Sequence, residues 1–156
     1  MNLLLIIVVI LLDQATKLLT VSSLAIGEHF VIIENFFQFS HVRNYGAAWS
    51  ILENKQFLLI TITVVVILGI IYYKKKEPLT KLMNLSTDLI IGGAIGNLID
   101  RIRLGNVIDM LDIKFGSFYD YPVFNVADMS VVIGTIIMAY LVFNDKYLKE
   151  GSNKND

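Results

Sequence analysis

The chain contains no cysteine. That excludes disulfides, thiolate metal sites and a cysteine nucleophile, and it leaves the redox compartment open. It has no HExxH pair of histidines, so the common helix-borne zinc protease site is missing too. Charge is scarce: 17% of the residues are Asp, Glu, Lys or Arg, where a soluble domain carries about 25%. The formal net charge of −1 gives no broad attraction to nucleic acid. No repeat, low-complexity stretch or second domain is visible. What the chain has in quantity is oil. Of its 156 residues 55% are hydrophobic, and the mean hydropathy is +0.64. A membrane protein follows.

The oil is concentrated in four runs, at 3–26, 57–73, 82–99 and 123–143. Each is about the 17–25 residues that cross a hydrocarbon core as a helix. A backbone in lipid must satisfy its own hydrogen bonds, so the expected fold is an all-α polytopic membrane protein, one integral membrane domain over 1–156. A β-barrel would show short alternating segments instead. The first run reads as a span rather than a cleaved leader, because no Lys or Arg precedes it and "DQATK" interrupts it. Lys74, Lys75, Lys76 and Lys81 crowd the short second connection, and Lys146, Lys149 and Lys154 the tail. Both termini are therefore expected in the cytoplasm, with the larger connections 27–56 and 100–122 outside.

In the first outer connection "FFQFSHVRN" alternates in part with a two-residue period, which points to short strands. Phe36, Phe37, Phe39, Tyr45 and Trp49 suit the headgroup layer. A small sheet on the membrane that grips an extended substrate fits these residues, and so does an ordinary interfacial loop.

Acids inside the spans carry more information, since one at mid-bilayer costs on the order of 3 kcal/mol. Asp13 and Lys17 lie one turn apart on the first helix, the spacing of a structural ion pair. In "GGAIGNLIDR" (92–101), Gly92 and Gly96 allow close helix approach, while Asn97 beside Asp100 needs another reason. Asp88 is placed to reach the Lys-rich connection. Asn125 and Asp128 share a face of the fourth helix near its outer end. Asp109 and Asp112 stand in "NVIDMLD", an apolar patch of the outer loop that would lie back on the membrane. Asp109 and Asp128 would then meet at the outer boundary. Two carboxylates in a poorly hydrated site share one proton, the state that hydrolyses a peptide bond without metal or covalent intermediate.

Other chemistries stay open at this point. A serine hydrolase would need His29 or His41 beside a hydroxyl. A Ser–Lys pair would draw on Lys17 with Ser22 or Ser23, which are close in sequence and poorly aimed. Two histidines and scattered aspartates make a weak metal set. A proton channel or transporter could use intramembrane Asp and Lys as a relay, and a purely structural membrane subunit is a third possibility.

Taken together, "DQATK" (13–17), "NYGAAW" (44–49), "GGAIGNLIDR" (92–101), "VIDMLD" (107–112) and "FNVAD" (124–128) resemble, in order and spacing, the signature blocks of lipoprotein signal peptidase, the bacterial type II signal peptidase. The resemblance implies a four-helix aspartyl endopeptidase of the cytoplasmic (inner) membrane, with a small extracytoplasmic β-cradle and its active site near the outer surface. It implies no cofactor and no metal. Its substrate would be a diacylglyceryl-modified prolipoprotein, cut just before the modified cysteine, with membrane lipid as a second partner and globomycin-type cyclic peptides as inhibitors. Block by block, the catalytic pair falls on Asp109 and Asp128. Supporting positions fall on Asp13, Lys17, Asn44, Gly46, Asn97, Asp100, Arg101 and Asn125. Asp100 and Arg101 are expected to brace the outer ends of the third and fourth helices, and the aromatics of 36–49 to form a flap. Met110 replaces the phenylalanine common after the first aspartate, and Asp88 belongs to no block.

Overall fold

The structure, a computed structural model, describes residues 1–47, 51–116 and 118–149; Trp49, expected in the flap, lies outside them. Four helices appear, α1 (Leu3–Ser23), α2 (Gln56–Lys76), α3 (Lys81–Leu104) and α4 (Val126–Phe143). All four are long and apolar enough to cross a membrane. Their ends follow local chemistry. The Asn2 side chain accepts from Leu5 N at the start of α1, and Thr80 does the same for Met83 N at α3. Gly105, in the left-handed region at φ 70°, stops α3. That helix runs past residue 99, so Arg101 and Arg103 are helical. The fourth helix starts at Val126 and not at 123, because Asn125 and Asp128 form a reciprocal capping box.

The four helices are joined, as the expected small sheet requires, by a four-stranded antiparallel sheet in the order β1 (His29–Ile33), β2 (Phe37–Asn44), β3 (Val107–Phe115), β4 (Tyr119–Asp120), so the chain is not strictly all-α. Strand β2 matches the alternation read at "FFQFSHVRN". The larger difference is β3. "NVIDMLD" is not a loop: Val107 to Asp112 form the first part of a strand paired to β2, with Val42 opposite Asp109 and Asn44 opposite Val107. Nearly continuous apolar character suits a strand covered on both faces, and Val107, Ile108 and Met110 are buried.

Helix α3 is the hub, packed against α1, α2 and α4. Small residues let it approach so closely. A Cβ on Gly93 would collide with the Ala127 carbonyl oxygen, and one on Gly96 would come within 2.6 Å of Asp13 Oδ2. Gly134 returns the fit from α4, 2.6 Å from the Ser86 carbonyl oxygen by the same construction. By contrast α2 leans mainly on α3, with Ile67 in a cluster with Ile91 of α3 and Ile6 of α1. Its most apolar window is 6% buried against 56% for α3. Most of its surface is left for lipid.

Candidate active site

The capping box that starts α4 also aims its acid. Asn125 Oδ1 accepts the Asp128 N–H at 2.9 Å, and Asp128 Oδ2 accepts the Asn125 N–H at 3.1 Å. The first turn of α4 therefore holds Asp128 in one rotamer at the end where the helix dipole favours negative charge. Strand β3 brings Asp109 to the same place. Asn125 Nδ2 donates to Asp109 Oδ1 at 2.6 Å, and Asn44, from the end of β2, donates to Asp109 Oδ2 at 3.0 Å. Asn97 Nδ2 donates to Asp128 Oδ1 at 2.7 Å. Each of the four carboxylate oxygens thus receives an amide N–H. Among the described residues neither acid forms an ion pair.

Both acids line a cavity of about 600 Å³. Its upper wall comes from the sheet (Val42, Asn44, Val107) and its lower wall from the helices (Ile62 and Val66 of α2, Val131 of α4). Burial pushes the Asp109 carboxyl up to about 7, and the facing Asp128 adds to the rise; the Asn44 and Asn125 donors and the Lys17 charge pull the other way. An Asp that holds its proton near neutrality beside a second carboxylate is equipped for acid–base work.

Beneath the pair lies a second group. Lys17 Nζ is 2.8 Å from Asp13 Oδ2 and 2.9 Å from Asp100 Oδ2. Gln14 Nε2 joins the same two carboxylates at 3.2 and 3.0 Å. The Ala127 N–H closes Asp13 and the Ile108 N–H closes Asp100. Lys17 also donates to Asn97 Oδ1 at 2.9 Å. A lysine only donates, so that oxygen must face it, and the Asn97 amide is left pointing at Asp128.

The expected bracing by Asp100 and Arg101 is corrected accordingly. Asp100 ties α3 to α1 and to the start of β3, not to α4. Arg101 Nη2 donates to the Gly46 carbonyl at 3.1 Å, which ties α3 to the loop after β2. Gly46 N in turn donates to Asn44 Oδ1 at 2.9 Å. Asp112 turns elsewhere, to Gln38 and Ser40. Asp88 pairs with Lys74 at 2.8 Å, as its position promised.

The serine pairing weighed for Lys17 is not assembled among the described residues. Ser22 Oγ donates to the Leu19 carbonyl on an exposed face, and Lys17 is held by its two aspartates and Asn97. Among the described residues no group of three or more acids or histidines is arranged for a metal. Sequence reasoning passed over two contributors. Gln14 was visible inside "DQATK" but looked like filler. The α2 wall left no signal, because a lining of Ile62, Thr63 and Val66 is indistinguishable from any other span.

A family model described as signal peptidase (SPase) II matches residues 5–144. The lipoprotein signal peptidase of Halothermothrix orenii is 46% identical over 142 residues, covering 90% of this chain and 94% of that protein. That of Clostridium tetani is 42% identical over 148 residues, covering 93% and 94%. A bacterial membrane enzyme solved by the in meso method at 2.3 Å resolution superposes with a TM-score of 0.86 at 33% identity, over 99% of this chain and 93% of that one.

Proposed function

The chain belongs to the signal peptidase II family, and we propose that it removes signal peptides from bacterial prolipoproteins with Asp109 and Asp128 as its catalytic pair. It is a membrane-embedded peptidase, and the bond it cuts lies just before the diacylglyceryl-modified cysteine. One observation carries the assignment of the pair. A buried carboxylate, Asp109, and a half-buried one, Asp128, both met by neutral N–H donors and free of any ion pair among the described residues, open on one cavity.

Such a pair keeps one proton between its members. The ionised carboxylate takes a proton from water as the water oxygen bonds to the scissile carbonyl carbon. The protonated partner gives its proton to the carbonyl oxygen, and a gem-diol forms. Return of a proton to the amide nitrogen lets the C–N bond break, releasing an acid and an amine. The amides of Asn44, Asn97 and Asn125 orient both acids without contributing charge, so the proton remains shared.

The cavity's two walls match a two-part substrate. Its lower wall of Ile62, Val66 and Val131 takes the apolar end of the signal segment, entering sideways from the bilayer. The sheet forms the cradle over the extended chain near the bond, and the diacylglycerol stays in lipid. In this arrangement both termini face the cytoplasm, Asp109 and Asp128 sit at the outer boundary, and a globomycin-type cyclic peptide competes for the same cavity.

The test is incubation of purified protein with diacylglyceryl-modified precursor, with unmodified precursor, and with globomycin. Modified precursor yields the shortened lipoprotein and free signal peptide, unmodified precursor is cut poorly, and globomycin stops the reaction. Equal cleavage of both precursors, or no product from either, overturns the reading.

A further inference from the structure

Strand β2 contains a bulge. Phe39 pairs with Leu111 and Val42 with Asp109, so β2 carries one more residue than β3 between these pairs. Ser40 and His41 occupy it, both buried in succession, where a regular strand would alternate. Ser40 Oγ donates to Asp112 Oδ2 at 2.8 Å. His41 Nδ1 is 2.9 Å from the Leu24 carbonyl oxygen, beyond the end of α1. A carbonyl only accepts, so Nδ1 carries the proton. Nε2 then offers its lone pair, and Arg43 Nε donates to it at 3.1 Å. Arg43 Nη1 goes on to Asn106 Oδ1 at 3.3 Å, and Asn106 Nδ2 to the Leu104 carbonyl at 2.9 Å. One imidazole in a single neutral tautomer therefore links the ends of α1 and α3 to β2.

The next residue is Asn44, whose amide reaches Asp109. We infer that His41 is a positioning residue for the reaction: it pins the bulge and, through Arg43, holds Asn44 against Asp109. The alternative that it prevents is concrete. If the ladder continued regularly from Phe39 and Leu111, His41 would stand opposite Asp109 and Arg43 opposite Val107. A one-residue slip moves side chains to the other face of a sheet, and it would bring two basic groups to an acid that has to keep a proton. This inference rests on the pair being catalytic.

The experiment compares His41→Ala, Asn44→Ala and the double variant as purified full-length protein acting on diacylglyceryl-modified precursor. Each single variant loses about tenfold in kcat with KM nearly unchanged, the worth of one misplaced hydrogen bond. The double variant is no slower than Asn44→Ala, because His41 acts through Asn44. The pH–rate profile supplies a readout that loose packing would not move. The charges facing Asp109 are Asp128 from α4, Lys17 from α1 and Arg101 from α3, and all stay in place. Loss of the Asn44 donor disfavours the ionised carboxylate, so the limb set by Asp109 moves to higher pH by the same amount in both single variants.

His41→Leu fills the site without its hydrogen bonds and carries the same test where His41→Ala fails to accumulate. His41→Gln keeps an acceptor beside Arg43 and recovers most of the turnover. The inference is overturned if the double variant loses the product of the two single factors. It is equally overturned if folded His41→Ala or His41→Leu keeps the kcat and pH limb of the unaltered protein. Asp109→Asn separates the two failures: an inactive Asp109→Asn beside fully active His41 and Asn44 variants sinks this inference alone, and an active Asp109→Asn sinks the catalytic pair.

Discussion

Two pairs of aspartates flank Asn97 with the same side chain; Asp13, Asp100 and Asp109 are buried and Asp128 is half-buried. Asp13 and Asp100 close around Lys17 and Gln14, with a backbone N–H for each. Asp109 and Asp128 meet amides only. The first pair has a cation between its members and lines no part of the cavity; the second has none and opens on it. A carboxylate held by a lysine and two further donors, away from the cavity, has neither a proton nor a water molecule to give up. It is a strut joining α1, α3 and β3. A carboxylate met by single neutral donors keeps lone pairs for a shared proton and for water. On the proposed assignment the partner, and not the residue type, decides which acid is a reagent.

The sharpest way to break this contrast is to make each acid an amide. Asp109→Asn and Asp128→Asn keep shape and volume but cannot take a proton from water. Turnover of lipidated precursor should fall by at least about a thousandfold for either, with the amount of protein in the membrane unchanged. Near-normal turnover in either variant would end the distinction drawn here.

Lys17→Met strikes the strut pair. Two carboxylates would remain buried without their cation, a loss of about 3–5 kcal/mol in stability, read as a lowered melting temperature in detergent. A smaller functional loss should accompany it. Asn97 Oδ1 would lose one of its two donors and keep Asn125 Nδ2 at 3.1 Å, so turnover per folded molecule should drop by about tenfold at most. A variant as stable as the unaltered protein would show that Asp13 and Asp100 do not need the charge.

How far the sequence foretold all this differs between the two pairs. Four long oily runs announce helices because lipid leaves no other solution, and Asp13 with Lys17 announces an ion pair because both lie on one helix. The capping box at Asn125 and Asp128 is local too. Asp100 was misplaced for the opposite reason. Its partners Lys17 and Gln14 lie on another helix, and nothing in "GNLIDR" names them. The strand around Asp109 was hidden because its hydrogen bonds go to β2, far away in the chain, and a short apolar run does not reveal its own partner. Apolar patterning and family likeness both singled out Asp109 without the strand; the structure adds that Asn125 bonds both Asp109 and Asp128. The α2 wall had no signature at all, since lipid-facing and cavity-facing residues on an apolar helix look alike.

A milder perturbation uses pH. In the proposed mechanism the pair works with one shared proton, and burial pushes the Asp109 carboxyl up to about 7. As pH rises through that value the proton leaves, both acids become charged, and no donor remains for the carbonyl oxygen. Turnover should therefore fall to about half near pH 7 in the free enzyme and keep falling above it, as a property of the pair and not of one residue. A rate that stays flat well past that range would mean that the proton comes from elsewhere.

The smallest effect on turnover belongs to the ion pair at the other end of α3. Lys74 Nζ meets Asp88 Oδ1 at 2.8 Å, with the Asn84 carbonyl and Thr87 Oγ1 beside it, and the Asn2 N–H reaches Asp88 Oδ2. It is as buried as the Lys17 group and stapled to the same helix, but it lines no wall of the cavity that holds Asp109 and Asp128. Lys74→Met should lower the melting temperature, as Lys17→Met does, because a buried carboxylate again loses its cation. Turnover per folded molecule should stay within about twofold, since among the described residues no chain of side-chain hydrogen bonds leads from Lys74 to Asp109 or Asp128. The comparison of the two lysines is the control for everything said of the first. If Lys74→Met slows the folded enzyme as much as Lys17→Met does, the buried charges act by stiffening α3 as a whole. The placement of Lys17 on Asn97 would then explain nothing.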